Sequence, residues 1–175
     1  MKKAILYSLP LLLGIASCKD KPQSNIIIAH RPMVVQQQKP QVIGDAVRAS
    51  NINWVGSSYT VKVRVKCDTS LPLATDGAVK YYDNRVNISI LRADGSSFFN
   101  RTFTKSDFRP YVDDTYYEDG ALIGIVFDKV DGESLKFAVS VGNPDKTTDE
   151  FVPLELTINH LGDVAIEKAT NEDDQ

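Results

Sequence analysis

A strict alternation of apolar and polar residues over positions 59–66 constrains the fold of this chain more than any other feature. Its apolar side chains stand at every second position, and the residues between them are hydroxyl-bearing or cationic. The apolar residues are Tyr59, Val61, Val63 and Val65. Successive side chains of a β-strand point to opposite faces of its sheet. The pattern therefore predicts an antiparallel strand with one face on a core and the other in water.

Similar segments recur along the chain, separated by short turns such as Ala93-Asp94-Gly95-Ser96. They predict an all-β domain, an antiparallel meander of seven or eight strands forming a sandwich or a barrel. The nearly continuous apolar run at 121–130 predicts a central strand buried on both faces, and Pro153 predicts an edge position or a bulge. The further strands are expected at 51–55, 86–92, 97–103, 134–141, 151–159 and 164–168.

At most one short helix is expected. Thr104 suits the N-cap position, and Asp107 occupies the third helical position, as in a capping box. Pro110 follows closely, so a long helix is excluded there.

The N-terminus has the order of an export signal. Lys2 and Lys3 precede an apolar run at 4–15, and Ala16-Ser17-Cys18 follows. The run is shorter than the roughly 20 apolar residues that span a bilayer. A cysteine after small residues resembles the lipobox of bacterial lipoproteins. The resemblance implies that Cys18 is acylated, becomes the mature N-terminus and holds the protein to a membrane.

This interpretation divides the chain into a signal peptide at 1–17, the lipidated cysteine and a flexible tether at 18–41, one β domain at 42–170, and a disordered acidic tail at 171–175. Loss of the leader leaves 18 basic against 23 acidic residues, a formal charge of −5. No basic stripe remains, so nucleic acid is not expected as a partner. With Cys18 lipidated, Cys67 has no partner for a disulfide within the chain, and we expect it to be a small strand-end residue.

The tether contains two apolar triplets, Ile26-Ile27-Ile28 and Met33-Val34-Val35, separated by Arg31-Pro32. Three interpretations stay open. The triplets are a patch that docks on the domain, an extra edge strand, or a segment that pairs with a partner protein.

The sequence predicts no catalytic residue, no metal site and no cofactor. His30 and His160 stand alone, and the acidic loop at 113–120 lacks the ligand spacing of an EF-hand. Aromatic and acidic residues beside predicted strands are the candidates for contact with a ligand or partner, because tyrosines near loops stack on sugars or anchor peptides. These candidates are Tyr81, Tyr82, Asp113, Asp114, Tyr116 and Tyr117.

Several motifs resemble a family of lipoproteins of the Bacteroides group that carry a domain of unknown function. They include Tyr81-Tyr82-Asp83-Asn84-Arg85, Phe98-Phe99, Val126-Phe127-Asp128 and Asp149-Glu150-Phe151-Val152-Pro153. The resemblance implies an envelope location and a compact β domain, and it transfers no activity. In that group, surface lipoproteins tend to carry a lysine or serine and then acidic residues after the lipidated cysteine, and Lys19-Asp20-Lys21 matches this in part.

Aspartate does not directly follow Cys18, so we expect the outer membrane, in either leaflet. The expected function is a non-enzymatic binding or accessory module whose partner is an envelope protein or a glycan. Two alternatives stay open: a lipocalin-like carrier of a small apolar ligand, and an enzyme built from loop carboxylates.

Overall fold

The computed structural model describes residues 38–170, so Cys18, both apolar triplets and the acidic tail at 171–175 lie outside the described part. The all-β prediction is confirmed, and each of the eight expected strands is present. Three additional short strands bring the number in the described residues to eleven. The strands are β1 Gln41–Val42, β2 Ala46–Trp54, β3 Ser57–Cys67, β4 Leu73–Asp76, β5 Val79–Tyr82, β6 Asn84–Arg92, β7 Ser97–Phe103, β8 Ala121–Asp131, β9 Ser134–Gly142, β10 Phe151–Asn159 and β11 Val164–Lys168.

Two four-stranded antiparallel sheets form the body of the domain. The first has the order β2-β3-β6-β7, and the second has the order β11-β10-β9-β8. Both contribute buried side chains to one shared core, so the architecture is a sandwich. Within residues 38–170 the sheets stay open and do not close into a barrel.

The alternation that predicted β3 places the expected face in the core. Val61 and Val63 are 1% and 3% exposed, and Tyr59 and Val65 are half-buried. Trp54 is buried beside β3, where its ring centroid lies 5.3 Å from those of Tyr59 and Phe98 in edge-to-face contacts. Such aromatic pairs contribute about 0.5–1.5 kcal/mol beyond the burial of their area.

The third sheet has three short strands in the order β1-β5-β4, and its β1–β5 pairing is parallel. Ala74 and Tyr81 of this sheet form a second, small core together with Ile43, just after β1, and Ala121, at the start of β8. Its strands β4 and β5 lie between β3 and β6 in the sequence, so the chain leaves the first sheet to form them and then returns, whereas β1 precedes β2.

The prediction of a central strand at 121–130 is wrong, because β8 is the edge strand of its sheet. Its register with β9 shifts between Leu122 and Gly124 and again after Phe127, as at β-bulges. Bulges bend a strand and change which side chains face the core. Consequently Val126 and Val130 are 44% and 37% exposed, although their segment is strongly apolar.

Two short helical segments connect β7 to β8. A 3-10 helix covers Lys105–Tyr111 and contains Pro110, and α1 covers Asp114–Glu118. The predicted cap is present at the first helix, where the Thr104 backbone N–H donates to Asp107 Oδ2 at 2.9 Å. Phe108 anchors this helix in the core with no exposed surface.

Candidate functional site

A cavity of about 340 Å³ lies at the end of the domain, where the β4–β5 hairpin meets α1 and the loop after β9. We call it the acidic cavity, because its lining carries three carboxylates and no lysine or arginine. It has the volume of a small-molecule pocket. Its lining residues are Thr75, Asp76, Gly77, Thr115, Tyr116, Asp119, Gly120, Asn143 and Glu150.

Side-chain hydrogen bonds hold the carboxylates of the acidic cavity in place. Asn143 Nδ2 donates to Asp76 Oδ1 at 3.3 Å and to Glu150 Oε2 at 3.2 Å. Thr75 donates to Asp119 twice, from its backbone N–H to the carbonyl at 2.8 Å and from its hydroxyl to Oδ1 at 3.2 Å. Each carboxylate keeps further lone pairs for a guest, because a carboxylate accepts about four hydrogen bonds.

A second cavity, of about 240 Å³, lies against the neighbouring residues of α1. We call it the lysine cavity, because Lys105 lines it and is only 8% exposed. Consecutive residues of α1 thus serve different cavities, with Tyr116 in the acidic one and Tyr117 in the other. The remaining lining residues are Leu71, Pro72, Asp83, Thr104, Ser106 and Glu118.

A buried lysine and a buried carboxylate face each other in the lysine cavity. Lys105 Nζ lies 4.0 Å from Asp83 Oδ2 and donates to the carbonyl of Gly120 at 2.6 Å. The ammonium also lies 5.5 Å from the ring centroid of Tyr117. Lys105 therefore ties the first helical segment to the chain that leaves α1.

The carboxylate of Asp83 is 2% exposed and accepts two backbone hydrogen bonds at Oδ1. Asn84 donates at 2.7 Å, and Leu122 donates at 2.8 Å. Burial raises the pKa of Asp83 above its ordinary value, and these hydrogen bonds and the charge of Lys105 offset part of the increase. A perturbed carboxyl in a cavity is characteristic of functional sites and also of structural ion pairs.

The structure brings two of the six candidate contact residues to cavities, Tyr116 and Tyr117. Asp113 instead caps α1 by accepting from the Tyr116 backbone N–H at 3.0 Å, and Asp114 forms an ion pair with Arg109. Tyr81 is 7% exposed within the small second core, and Tyr82 is half-buried in β5. Neither tyrosine of this pair lines the acidic or the lysine cavity.

Sequence reasoning missed most of the lining. Asp76, Asp119 and the pair Asn143 and Glu150 come from three separate segments of the chain, the end of β4, the end of α1 and the β9–β10 loop, and no motif connects them. In the sequence, Asp83 stands out only as part of the motif Tyr81-Tyr82-Asp83-Asn84-Arg85. The one sequence feature that could have indicated Lys105 is its place directly after a helix cap.

The other reactive side chains are dispersed. Cys67 is half-buried, and its backbone N–H donates to Asp45 Oδ1 at 2.9 Å. His160 Nδ1 lies 3.2 Å from Glu133 Oε2 in an exposed turn. Among residues 38–170, no three His, Cys, Asp or Glu side chains come together in a way that could hold a metal ion.

Within the same part of the chain, no helix is both long enough and apolar enough to cross a membrane. Comparison with curated proteins gives no match. Comparison with protein families matches residues 24–166 to one model, described as "Domain of unknown function (DUF4738)". This match covers most of the chain, including the lining of both cavities and the strands of the two large sheets up to Ile166 in β11. The chain therefore belongs to the DUF4738 family.

Proposed function

We propose that this chain is a bacterial envelope lipoprotein whose β domain binds a hydroxyl-rich ligand, a glycan, without transforming it. Two independent parts of the chain support the proposal. The N-terminus supports the location, and the acidic cavity supports the binding. The two parts are tested separately, so that failure of one leaves the other to be judged on its own evidence.

The order of residues before Cys18 supports acylation. Two lysines, an apolar run and Ala16-Ser17 precede the cysteine, as in lipoprotein signals. Two acyl chains give stable membrane attachment, because each buried CH₂ contributes about 0.8 kcal/mol. Lys19 after the cysteine and the resemblance to lipoproteins of the Bacteroides group favour the outer membrane.

Mass spectrometry of the intact protein tests this location. The wild type is expected to carry the mass of a diacylglycerol and an N-acyl chain and to fractionate with the outer membrane. Cys18→Ser should remove both properties. Ser17→Ala, which keeps a small residue directly before the cysteine, is the control for effects on export. An unmodified wild-type Cys18 would contradict the proposal.

The single observation that carries the binding function is the composition of the acidic cavity. Its lining combines three carboxylates, two threonines, one amide and one tyrosine. Carboxylate and amide groups bind vicinal hydroxyls, and an aromatic ring covers the apolar face of a sugar. Since no cation lines the cavity, a neutral or cationic sugar suits it and a uronic acid does not.

Calorimetric titration with three oligosaccharides of equal length tests this function. A neutral glucan and a glucosamine oligomer are expected to bind, and an oligogalacturonate is not. Glu150→Gln should weaken binding about tenfold by removing a charge-assisted acceptor. It keeps an oxygen for the hydrogen bond from Asn143.

Asp128→Asn is the matched control, because Asp128 is an exposed carboxylate on β8 outside the cavity. The proposal is contradicted if none of the sugars binds, or if both variants weaken binding equally. Hydrolysis of a bound oligosaccharide would contradict the non-enzymatic part and favour an enzyme of loop carboxylates.

A further inference from the structure

The outer face of the first large sheet carries a row of cations. In β3 the core-facing residues Val61 and Val63 are 1% and 3% exposed, and successive side chains of a strand point to opposite faces. Lys62, Arg64 and Lys66 therefore stand on the outer face, about 7 Å apart along the strand. Arg64 and Lys66 are exposed, and Lys62 is half-buried.

The neighbouring strand β6 adds a fourth cation to this row. Arg85 lies directly opposite Lys66, and like charges in that position destabilise a sheet. Arg85 forms an ion pair with Asp68, just after β3. Within residues 38–170, none of the three cations of β3 forms an ion pair. Most of the positive charge of the row is therefore left without a paired counter-charge in the domain.

The side chains that share this face with the row are small, amide-bearing, hydroxyl-bearing or aliphatic. As described, the strands β2, β3, β6 and β7 place no carboxylate and no aromatic ring on it. Val47, which is 57% exposed, lies opposite Arg64 and presents an apolar side chain there. We call this outer face of the first sheet the cationic face.

The outer face of the second large sheet has the opposite character. Lys129 and Lys136 share it with Asp131, Glu155 and Glu167, so carboxylates outnumber cations there. Lys136 and Glu155 moreover form an ion pair. The two outer faces of the sandwich thus differ in the sign of their charge, although the whole chain has a formal charge of −3.

We propose that the cationic face lies against the phosphate groups of a membrane surface. Each lysine or arginine near an anionic membrane surface strengthens binding to it. An apolar side chain beside the cations, as at Val47, suits the boundary between headgroups and acyl chains. This inference rests on the membrane location proposed above and adds an orientation, in which the first sheet faces the membrane and the second faces away from it.

The composition of the cationic face favours a flat anionic surface over a chain-like polyanion. Sugars and single-stranded nucleic acids stack on aromatic rings, and the described strands place none there. A nucleic-acid duplex is bound through about 6–10 phosphate contacts, more than the unpaired cations of β3 supply. Small neighbours such as Ala49 and Ser89, both opposite Lys62, let the long cationic side chains stand above the sheet and meet a plane of phosphates.

Sedimentation with lipid vesicles tests this orientation. Residues 19–175, the mature chain without its lipidated cysteine, retain every described residue. Vesicles that mix phosphatidylglycerol with phosphatidylcholine are expected to bind this chain, and vesicles of phosphatidylcholine alone are not. High salt should weaken the binding. Because the chain carries no lipid, the result does not depend on the acylation of Cys18, and failure of either proposal is seen separately.

Lys62→Gln with Arg64→Gln should weaken binding to the anionic vesicles about 25-fold, because each basic side chain contributes about fivefold. Lys129→Gln with Lys168→Gln removes the same charge from the second sheet and should leave binding unchanged. An unchanged midpoint of thermal unfolding shows that each variant is folded. Equal effects of the two pairs, or equal binding to neutral vesicles, would overturn the proposal.

Acetylation of lysine side chains, read by mass spectrometry of peptides, provides the second measurement. Anionic vesicles should slow the acetylation of Lys62 and Lys66 several-fold and leave that of Lys129 and Lys136 unchanged. Protection that is uniform over both sheets, or absent from both, would overturn the orientation. Tighter binding of an oligogalacturonate or a DNA duplex than of the vesicles would also overturn the proposal, because the cationic face would then serve a chain-like polyanion.

Discussion

Replacing Lys105 tests whether the buried ion pair holds the helical segments on the sandwich. Lys105→Met keeps the length of the side chain and removes its charge and its hydrogen bond to Gly120. At 4.0 Å the attraction to Asp83 amounts to about 4 kcal/mol before desolvation, at an effective dielectric constant of roughly 20. Because breaking a buried pair leaves an uncompensated charge, we expect the free energy of unfolding to fall by about 3 kcal/mol.

A double-mutant cycle separates the ion pair from the other contacts of the lysine. In an Asp83→Asn background Lys105→Met leaves no carboxylate unpaired and removes an ammonium that has lost its partner, so it should cost no more than about 1 kcal/mol, the value of the lost hydrogen bond. The coupling energy is therefore at least about 2 kcal/mol. Urea titration followed by the fluorescence of Trp54, the only tryptophan of the chain and a buried one, measures each value.

The same cycle has a defined pH dependence. Burial raises the pKa of Asp83, so the folded state takes up a proton more readily than the unfolded state. For such a carboxyl, stability is gained as pH falls through the folded pKa toward the unfolded one. The cost of Lys105→Met should therefore shrink between about pH 7 and about pH 4. Equal costs in both backgrounds, or a cost that does not change with pH, would refute the reasoning.

Three further predictions concern the backbone. Val55→Asn should stabilise the folded state by about 1 kcal/mol, which is measured as a higher midpoint of thermal unfolding. Val55 has a φ of 46° in the β2–β3 turn, and asparagine tolerates that region. Gly142→Ala should lower the free energy of unfolding by several kcal/mol, since a Cβ there would lie 2.3 Å from the backbone oxygen of Glu150. Gly124→Ala is the control, because a Cβ at Gly124 has nothing within 4 Å and should change stability by no more than about 1 kcal/mol. Pro153→Val should introduce a backbone N–H at position 153 whose hydrogen exchange, followed by NMR, is slow. The Pro153 carbonyl already accepts a hydrogen bond from the Ala169 N–H, and a donor at position 153 would complete the pair between these two residues and lengthen β11.

Most of the eight long strands could be predicted because period-two alternation is a property of any strand with one buried face, and β8 could be located from its apolar run. The third sheet could not. Its strands β1, β4 and β5 have two, four and four residues, too few for a period to stand out. Two of them are held by pairing with each other, and β1 by a parallel pairing to a distant segment. Only the folded chain specifies such contacts.

Pro153 shows why a proline in a strand does not by itself identify an edge strand. Its strand, β10, lies inside the second sheet between β9 and β11. Pairing with β11, however, begins only at Leu154, opposite Lys168. The backbone nitrogen of Pro153, which has no hydrogen to donate, therefore lies on the side of β10 that faces β11, just beyond the end of the pairing. The prediction of an edge position or a bulge is wrong for this strand, and the proline is tolerated because it lies just beyond the end of the β10–β11 pairing.

The site was less predictable than the fold for a physical reason. A tyrosine beside a loop is visible in the sequence, and Tyr116 and Tyr117 were found in this way. The carboxylates of the acidic cavity are ordinary surface residues until the fold brings them together. Asn143 contacts Asp76 across 67 positions of the chain. A contact of that separation leaves no mark in composition or spacing.

Asp83 and Asn84 explain how β8, which was expected to be a central strand, satisfies its backbone at the beginning of an open edge. At Leu122, the side chain of Asp83 accepts the backbone N–H at 2.8 Å and the side chain of Asn84 donates to the carbonyl at 2.9 Å. Two consecutive side chains thus make the hydrogen bonds that a neighbouring strand would make. This substitution satisfies the edge of β8 only at its beginning. From Gly124 onward no strand among the described residues pairs with this edge, so its backbone groups are open to water or to another strand.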